Sequence, residues 1–342
     1  MMDSHDSIPT PTRRFPRRIL LVVPAALARS LAACAPAMDR LIALECGRSD
    51  IMLSLRKDFE REVRFRFGQP PANEMLNSWL FVQIARAHVH ARGVAPDDWL
   101  FVPLPPQTEP TAWPFSKYLD RMRERRNCER IGIDAEAPAR SLDRWMREAW
   151  EGARRRLGEI RVACHADHTH AVRSCAAANG DEASGGLRVW IEPAPAGQLS
   201  AHAVNAQALA KLRDAHAACS DDGGSNDFDA RLWLMLHRYA SLFGPRSGEG
   251  RGWQLATPPA AMAAMHADFG VCAELFASPL NSRTRRFCSA FPDTDAPFGS
   301  LGNFFSADIR GIESAECGPP YDDEVIHSSE STRPPPRSAV LA

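Results

Sequence analysis

Apolar residues recur at helical spacing through the first half of the chain. From residue 18 to about residue 160 the pattern is mostly helical, and the clearest periods lie at 74–85 and 141–150. Ser141 stands at the start of the second period, where it is placed to cap a helix. The prolines within 102–106 predict an extended connector. This region is therefore predicted to be largely helical.

The second half of the chain alternates predicted strands with predicted helices. Stretches rich in small polar residues and glycine, at 176–186 and 220–227, predict loops. Pro258 suits the first turn of the last predicted helix. The predicted elements are strands at 187–192 and 271–276 and helices at 206–218, 228–243 and 258–269. Such alternation predicts an α/β fold.

The two ends of the chain differ from the middle. Residues 1–17 are polar and proline-containing, and the tail 328–342 is of low complexity, so we expect both to be disordered. A basic stretch followed by the apolar run 19–23 resembles a secretory signal. Because Pro24 interrupts this run, we predict instead a strand that is followed by a helix. We expect a mainly helical domain at 18–200 and a second domain at 201–327.

Composition sets limits on the partners of the chain. The formal net charge is −1, with 44% hydrophobic and 24% charged residues, so no global field favours a polyanion. Nine scattered cysteines predict free thiols in a reducing compartment. No run approaches the roughly 20 apolar residues of a membrane span, so we expect no membrane partner.

Local basic stretches leave two interpretations open. The stretch 117–156 is rich in arginine, with acidic residues interspersed. It fits either a nucleic-acid-binding face or a solvated helix with ion pairs between successive turns. The shorter stretch 282–286 fits either a phosphate contact or a solvated basic turn.

Histidine-containing stretches favour structural interpretations. The stretch 164–170, together with Cys175, has the residue types of a zinc site, but it lacks a standard ligand spacing. His88 and His90 lie two apart on a predicted helix, so their side chains point to different faces and predict a surface pair. We predict no metal site.

The predicted strand at 271–276 ends in a turn of small residues. Ala277, Ser278 and Pro279 follow it directly. In a doubly wound sheet, ligands bind beyond the carboxyl ends of the strands, where small residues let backbone N–H groups approach them. By composition alone, however, the pattern favours a core strand with an ordinary turn.

A second segment resembles a catalytic tetrad. Residues 318–321 read Gly-Pro-Pro-Tyr, similar to the [Asn/Asp]-Pro-Pro-[Tyr/Phe] tetrad of enzymes that methylate exocyclic amines. In those enzymes the prolines stiffen the loop, its carbonyl groups and the leading side chain orient the amine, and the aromatic ring stacks on the base. Catalysis of this kind depends on positioning and dipoles. Pro-Pro-Tyr alone also fits a WW-domain ligand.

Several segments in one order extend the resemblance to a family. They closely resemble the phosphorylated-CTD-interacting-factor family, the cap-specific adenosine N6-methyltransferases. Residues 227–233 and 238–239 are similar to the helix that precedes these motifs. The segments are 268–271, 274–281, 287–295, 298–300 and the tetrad.

This resemblance implies an activity and its site. It implies S-adenosylmethionine as methyl donor and the cap-adjacent 2′-O-methyladenosine of mRNA as acceptor, in the nucleus. It also implies a Rossmann-like class I methyltransferase domain, with the helical region helping to bind capped RNA. The implied cofactor-binding residues are Phe276, Ala277, Ser278, Pro279 and Asn281, and the implied catalytic residues are Gly318, Pro319, Pro320 and Tyr321.

The sequence departs from the family pattern in two places. Gly318 stands where the tetrad has Asn, and the chain ends at residue 342, soon after Tyr321. We therefore expect an incomplete methyltransferase sheet. No WW-like module is recognised, so binding of the RNA polymerase II tail is not implied. The alternatives are a catalytically degenerate protein that retains only RNA or protein binding, and a truncated gene model.

Overall fold

The computed structural model describes most of the chain from Met38 onward. The described residues are 38–68, 70–71, 74–91, 96–105, 115, 136–163, 170–176, 186–194, 201–219, 227–244, 255–320, 325–326, 329 and 340–341. The predicted head, the predicted strand and helix at 19–31, and Tyr321 lie outside the described residues.

The described chain is an α/β protein, as the sequence predicts. Three long helices come first, and a small antiparallel sheet follows them. Further helices and a second, parallel sheet complete the fold. The helices are α1 (Met38–Phe67), α2 (Met75–Ala91), α3 (Glu136–Ala163), α4 (Ala206–Cys219), α5 (Phe228–Phe243), α6 (Pro259–Phe269) and the short α7 (Pro292–Asp295). The strands are β1 (Ala171–Ala176), β2 (Leu187–Glu192), β3 (Ala201–Val204), β4 (Ala273–Glu274), β5 (Arg286–Phe287), β6 (Ala315–Glu316) and β7 (Val340–Leu341).

One apolar core joins the long helices to the later elements. Trp79 of α2 and Trp150 of α3 are fully buried with their ring centroids 5.7 Å apart. Their indole N–H groups donate to the Asp143 carboxylate at 2.8 Å and to the Val102 carbonyl at 3.0 Å, which satisfies both buried donors. The same core includes Trp233 of α5. It therefore spans the predicted boundary near residue 200, and the division into domains stays a prediction.

The antiparallel sheet has β2 at its centre. Burial along β2 alternates, with Val189 and Ile191 facing the core and Arg188 facing outward, because successive strand residues point to opposite faces. The strand pairs with β1 on one side and β3 on the other. The predicted strand at 187–192 is confirmed with its limits.

The parallel sheet positions the candidate site. Its order is β5-β4-β6-β7, and all three pairings are parallel. β4 therefore pairs with β5, the next strand in the sequence, on one side and with β6 on the other. This arrangement creates a topological switch point between β4 and β6. β7 lies within the segment 328–342, for which disorder is predicted.

Three sequence predictions need correction. Ser141 is not a cap, because α3 begins five residues earlier at Glu136; the hydroxyl of Ser141 instead accepts a hydrogen bond from Arg66. His88 is not a surface residue, since its side chain is 1% exposed and its ring stacks on Trp99. The last long helix begins at Pro259, with Pro258 as its cap residue.

The predicted strand at 271–276 is shorter in the structure but its hydrogen bonds extend further. Only Ala273–Glu274 is assigned as strand. The backbone N–H of Cys272 donates to the Ser314 carbonyl at 3.0 Å, and that of Ala277 donates to the Cys288 carbonyl at 2.9 Å. The ladder thus follows most of the predicted length.

Candidate functional site

The carboxyl ends of β4, β5 and β6 open into one cavity of about 550 Å³. The segments that follow the three strands line it, at 274–278, 288–290 and 316–320. Helices α2 and α5 supply further apolar wall through Phe81 and Phe243. This is the place where parallel α/β sheets bind ligands, and the volume suits a small organic molecule.

The two segments singled out in the sequence meet at this cavity. Phe276, Ala277, Ser278 and Asn281 line it from the β4 side. Pro279 is buried within the same loop. Gly318, Pro319 and Pro320 line it from the β6 side. Tyr321 lies outside the described residues.

The side chain of Asn281 stabilises the conformation of the loop that follows β4. Its side-chain carbonyl oxygen accepts hydrogen bonds from the Ser278 backbone N–H at 2.6 Å and from the Ser278 hydroxyl at 2.9 Å. Its amide nitrogen donates to the Leu255 carbonyl at 3.1 Å. The Asn281 side chain therefore shapes the loop around the cavity, a role that the sequence does not predict.

Lys211 of α4 holds the same loop from behind. Its ammonium group donates to the carbonyl oxygens of Leu280 at 3.1 Å and Ser282 at 3.0 Å. Burial lowers the pKa of Lys211, the neighbouring Arg283 adds to the fall and Glu274 opposes it, so that the pKa lies at about 8. The half-buried amine of Lys211 thus attaches the loop to α4.

Glu274 secures the turn between β4 and β5. One of its carboxylate oxygens accepts hydrogen bonds from the backbone N–H groups of Arg283 at 2.6 Å and Thr284 at 2.7 Å, and from the Thr284 hydroxyl at 3.0 Å. The residue is 4% exposed. Because a buried carboxylate needs such donors, this oxygen serves the fold.

Glu316 brings a second carboxyl group to the cavity. It lies directly across the parallel register from Glu274. Burial raises the pKa of Glu316, repulsion by Glu274 adds to the rise, and a hydrogen bond from the Gly318 N–H opposes it, so that the pKa lies at about 7. Perturbed carboxyl groups in clefts mark candidate functional positions.

Three phenylalanines form an aromatic wall of the cavity. The ring of Phe276 lies 4.9 Å from that of Phe304 and 5.9 Å from that of Phe305, measured between centroids. All three residues line the cavity. Such a wall can pack against a flat, apolar group such as a nucleobase. Phe304 and Phe305 were not predicted from the sequence, although this adjacent aromatic pair lies between the family-like segment 298–300 and the tetrad.

Neither a metal centre nor a membrane span is found in the described part of the chain. No group of three His, Cys, Asp or Glu side chains among the described residues could hold a metal ion. The described helices also include none that is both long and apolar enough to cross a bilayer. The zinc-like stretch at 164–169 lies outside the described residues.

Comparison with known proteins relates the cavity-forming part of the chain to a family. Residues 208–332 match the sequence model of a family described as the phosphorylated CTD interacting factor 1 WW domain. The chain is also 43% identical over 115 residues to the mRNA (2′-O-methyladenosine-N(6)-)-methyltransferase of Homo sapiens, and 41% identical over 115 residues to that of Mus musculus.

Residues 208–332 are therefore similar to the phosphorylated CTD interacting factor family. The resemblance stated from the sequence motifs is thus confirmed. The compared stretch covers 33% of this chain and 16% of each relative. The chain therefore spans about a sixth of the relatives' length through this stretch.

Most of the residues that line the cavity lie within the matched segment 208–332. This segment includes α5, α6 and the strands β4 to β6, together with the loop at 276–281 and Gly318. The α2 wall lies outside the matched segment. Although the family description names a WW domain, the described residues of 208–332 form helices and parallel strands, and the antiparallel sheet lies before them.

Proposed function

We propose that the chain belongs to an enzyme that transfers a methyl group from S-adenosylmethionine to N6 of the cap-adjacent 2′-O-methyladenosine of mRNA. The observation that carries this proposal is the meeting of two segments at one cavity. The loop 276–281 and the tetrad-like residues Gly318, Pro319 and Pro320 come from different strands of the parallel sheet and line the same space.

The relatives support the reaction, and the sheet supports the architecture. The two relatives are both named as mRNA (2′-O-methyladenosine-N(6)-)-methyltransferases. The parallel order with a switch point between β4 and β6 favours a Rossmann-like class I methyltransferase domain. Because the matched stretch is 16% of each relative, activity, substrate and partners remain proposals for this chain.

The residues around the cavity fit S-adenosylmethionine. Aromatic rings at Phe276, Phe304 and Phe305 offer a surface for its adenine. The carboxyl group of Glu316 adds a hydrogen-bond acceptor to the cavity wall. When bound, the cofactor supplies an electrophilic methyl group on a positively charged sulfur. Ala277, Ser278, Pro279 and Asn281 form the loop that would enclose it.

The tetrad-like segment would hold the acceptor base. Pro319 and Pro320 restrict the backbone, so the carbonyl groups of Gly318 and Pro319 keep fixed directions. Two fixed carbonyl dipoles can orient an exocyclic amine, and this orientation lowers the entropic part of the barrier. In the family pattern the ring of Tyr321 would stack on the base.

Capped mRNA is the proposed partner, and the nucleus is the proposed location. Both follow from the names of the relatives and of the matched family. The phosphorylated tail of RNA polymerase II is a further proposed partner, from the family description alone. The partly exposed ion pair of Arg154 with Glu151 on α3 favours the interpretation of its basic stretch as a solvated helix face.

Methyl transfer by the purified chain tests the proposal. The substrate is a capped oligonucleotide whose first nucleotide is 2′-O-methyladenosine, incubated with labelled S-adenosylmethionine. A matched oligonucleotide that begins with 2′-O-methylguanosine is the control. We expect N6-methyladenosine from the first substrate only. Equal labelling of both, or none above the no-protein blank, would contradict the proposal.

A catalytically degenerate protein is the second candidate. The observation in its favour is Gly318, which lacks the side-chain acceptor of the tetrad. Loss of one well-placed polar contact in such a site costs about 10²- to 10³-fold in rate. A degenerate protein would bind S-adenosylmethionine or capped RNA and form no product even at high protein concentration. Single-turnover assays with protein in excess separate the two candidates.

A further inference from the structure

The carboxyl group of Glu316 lies against Gly318, at the place where a side chain on residue 318 would begin. A Cβ atom added to Gly318 would lie 2.6 Å from Oε1 of Glu316 and 3.5 Å from its Cδ. The first of these separations is much shorter than a normal contact. The Gly318 N–H also donates a hydrogen bond to the Glu316 carboxylate. The absent side chain of residue 318 thus leaves room that Glu316 occupies.

We propose that Glu316 supplies the acceptor that Gly318 lacks, so that its carboxylate accepts one N–H of the target adenine amine. The inference rests on the proposed function, because it assigns a residue to the acceptor side of the same cavity. Glu316, two positions before the tetrad's first residue, replaces that residue's missing side chain.

Strand geometry explains how the replacement works. Glu316 ends β6, and in an extended segment residues i and i+2 point to the same face. The side chains of residues 316 and 318 would therefore compete for one space. Both residues line the cavity. A glycine at 318 removes the competition, and the longer Glu316 side chain can reach over it.

Of the two carboxyl groups at the switch point, Glu316 is the one placed for a ligand. Glu274 uses an oxygen to hold the turn at 283–284 through three hydrogen bonds. Glu316 is half-buried in the cavity wall and accepts a hydrogen bond from Gly318. A carboxylate has about four lone-pair positions, so it can accept an amine N–H as well.

Glu316 is also placed to accept the proton that methyl transfer releases. The lone pair of the target nitrogen forms a bond to the methyl carbon, the carbon–sulfur bond breaks, and its electron pair stays on sulfur. The nitrogen then carries a positive charge and releases one proton to the Glu316 carboxylate. Burial and the neighbouring Glu274 raise the pKa of Glu316 to about 7, so near neutral pH it can take the proton and return it to solvent.

Four variants of the full chain test the assignment through methyl transfer. Glu316→Ala removes the acceptor, and Glu316→Gln keeps its shape. Gly318→Asn forces a side chain into the occupied space, and the double variant Glu316→Ala/Gly318→Asn restores the family arrangement. We expect a loss of about 10²- to 10³-fold for Glu316→Ala and a smaller loss for Glu316→Gln. Gly318→Asn alone should lose activity, and the double variant should recover to within about tenfold of wild type.

Two results of this series would overturn the assignment. One is a wild-type rate in Glu316→Ala. The other is a double variant no faster than Glu316→Ala. Melting temperatures and the affinity for S-adenosylmethionine are measured for each variant, and the Gln variant provides the comparison if the Ala variant does not fold.

A binding measurement decides the inference even if no product forms. Affinities are compared for a capped oligonucleotide beginning with 2′-O-methyladenosine and for one in which purine, without the amino group, replaces adenine. Wild type should prefer the adenine by roughly tenfold to a hundredfold, and Glu316→Ala should keep only the smaller part of this preference that the Gly318 and Pro319 carbonyls supply. A wild type without the preference, or a variant that keeps it in full, overturns the assignment. A preference without any product would contradict the proposed catalysis while the contact stands.

Discussion

Arg238 on α5 donates two hydrogen bonds to the Glu45 carboxylate on α1, which lies 193 residues earlier in the chain. Its Nε lies 2.6 Å from Oε1 and its Nη2 lies 2.7 Å from Oε2. Arg238 also pairs with Asp293 of α7, and Glu45 also accepts from Arg48. Arg238 and Glu45 are almost fully buried. This ion network ties the first helix to the elements beside the cavity.

We expect Arg238→Met to lower the free energy of unfolding by about 3–5 kcal/mol, because it leaves the Glu45 carboxylate buried with one partner fewer. Urea denaturation measures the change. The matched control is Arg310→Ala, which removes an exposed ion pair with Asp308 and should leave the free energy of unfolding almost unchanged. Similar losses in both variants would contradict a special contribution of the buried network.

Acid should destabilise the fold through two buried histidines. Burial lowers the pKa of His88 to about 4, and burial together with repulsion by His237 lowers that of His202 to about 3. Both histidines are neutral in the fold, whereas the unfolded chain takes up protons near pH 6.5. The stability they contribute is complete above that pH and is lost as the pH falls below it.

The variant His88→Phe isolates this effect. Phenylalanine keeps the stacking on Trp99, and His88 makes no hydrogen bond among the described residues. The difference in unfolding free energy between variant and wild type should therefore grow as the pH falls from 6.5 to 4, by an amount on the order of 3 kcal/mol. A difference that is independent of pH would show that His88 does not titrate on unfolding.

The titration of Asp295 should change the stability with pH in the opposite direction to that of the two histidines. Burial raises its pKa from 3.8 to about 7, although hydrogen bonds from Tyr239, Ser289 and Thr294 oppose the rise. The protonated form is favoured in the fold, so its stabilisation is complete below about pH 4 and is lost as the pH rises through 7.

Asp295→Asn removes that titration and keeps an acceptor for the Tyr239 hydroxyl, which lies 2.7 Å from Oδ2. We expect the variant to gain stability relative to wild type between pH 4 and pH 7 and to keep this gain at pH 8. Chemical denaturation at four pH values in this interval measures the difference. A gain that shrinks with rising pH would have the wrong sign.

Lys211 should control cofactor affinity through the loop it holds. Lys211→Met removes the hydrogen bonds to the Leu280 and Ser282 carbonyls, so the loop at 276–281 loses its anchor to α4. We expect S-adenosylmethionine to bind roughly tenfold more weakly, as for loss of a hydrogen bond with a charged partner. Isothermal titration calorimetry measures the affinity.

Lys57→Met provides the matched control for this prediction, because Lys57 is exposed on α1. It should leave the affinity unchanged. Equal weakening in both variants, or none in Lys211→Met, would contradict the anchoring role. The melting temperatures of the two variants show whether either change acts through global stability.

Local elements are readily predicted from this sequence. The strand at 187–192 and the helix at 228–243 have the predicted limits, because alternation and helical periodicity are carried by neighbouring residues. The prediction fails for Ser141 and for the exposure of His88. The start of α3 and the burial of His88 depend on the tertiary structure. The helix α3 begins before the apolar period that the sequence shows, and Trp99 covers the ring of His88.

Sequence order alone determined the family segment, the loop at 276–281 and the position of the tetrad-like residues, since each is written in consecutive residues. Only the tertiary structure decided that Glu316 lies beside Glu274 and against Gly318. The physical reason is the parallel pairing of β4 with β6, which joins residues far apart in the chain. The local pattern shows a missing side chain at 318, and the fold shows which carboxyl group occupies its place.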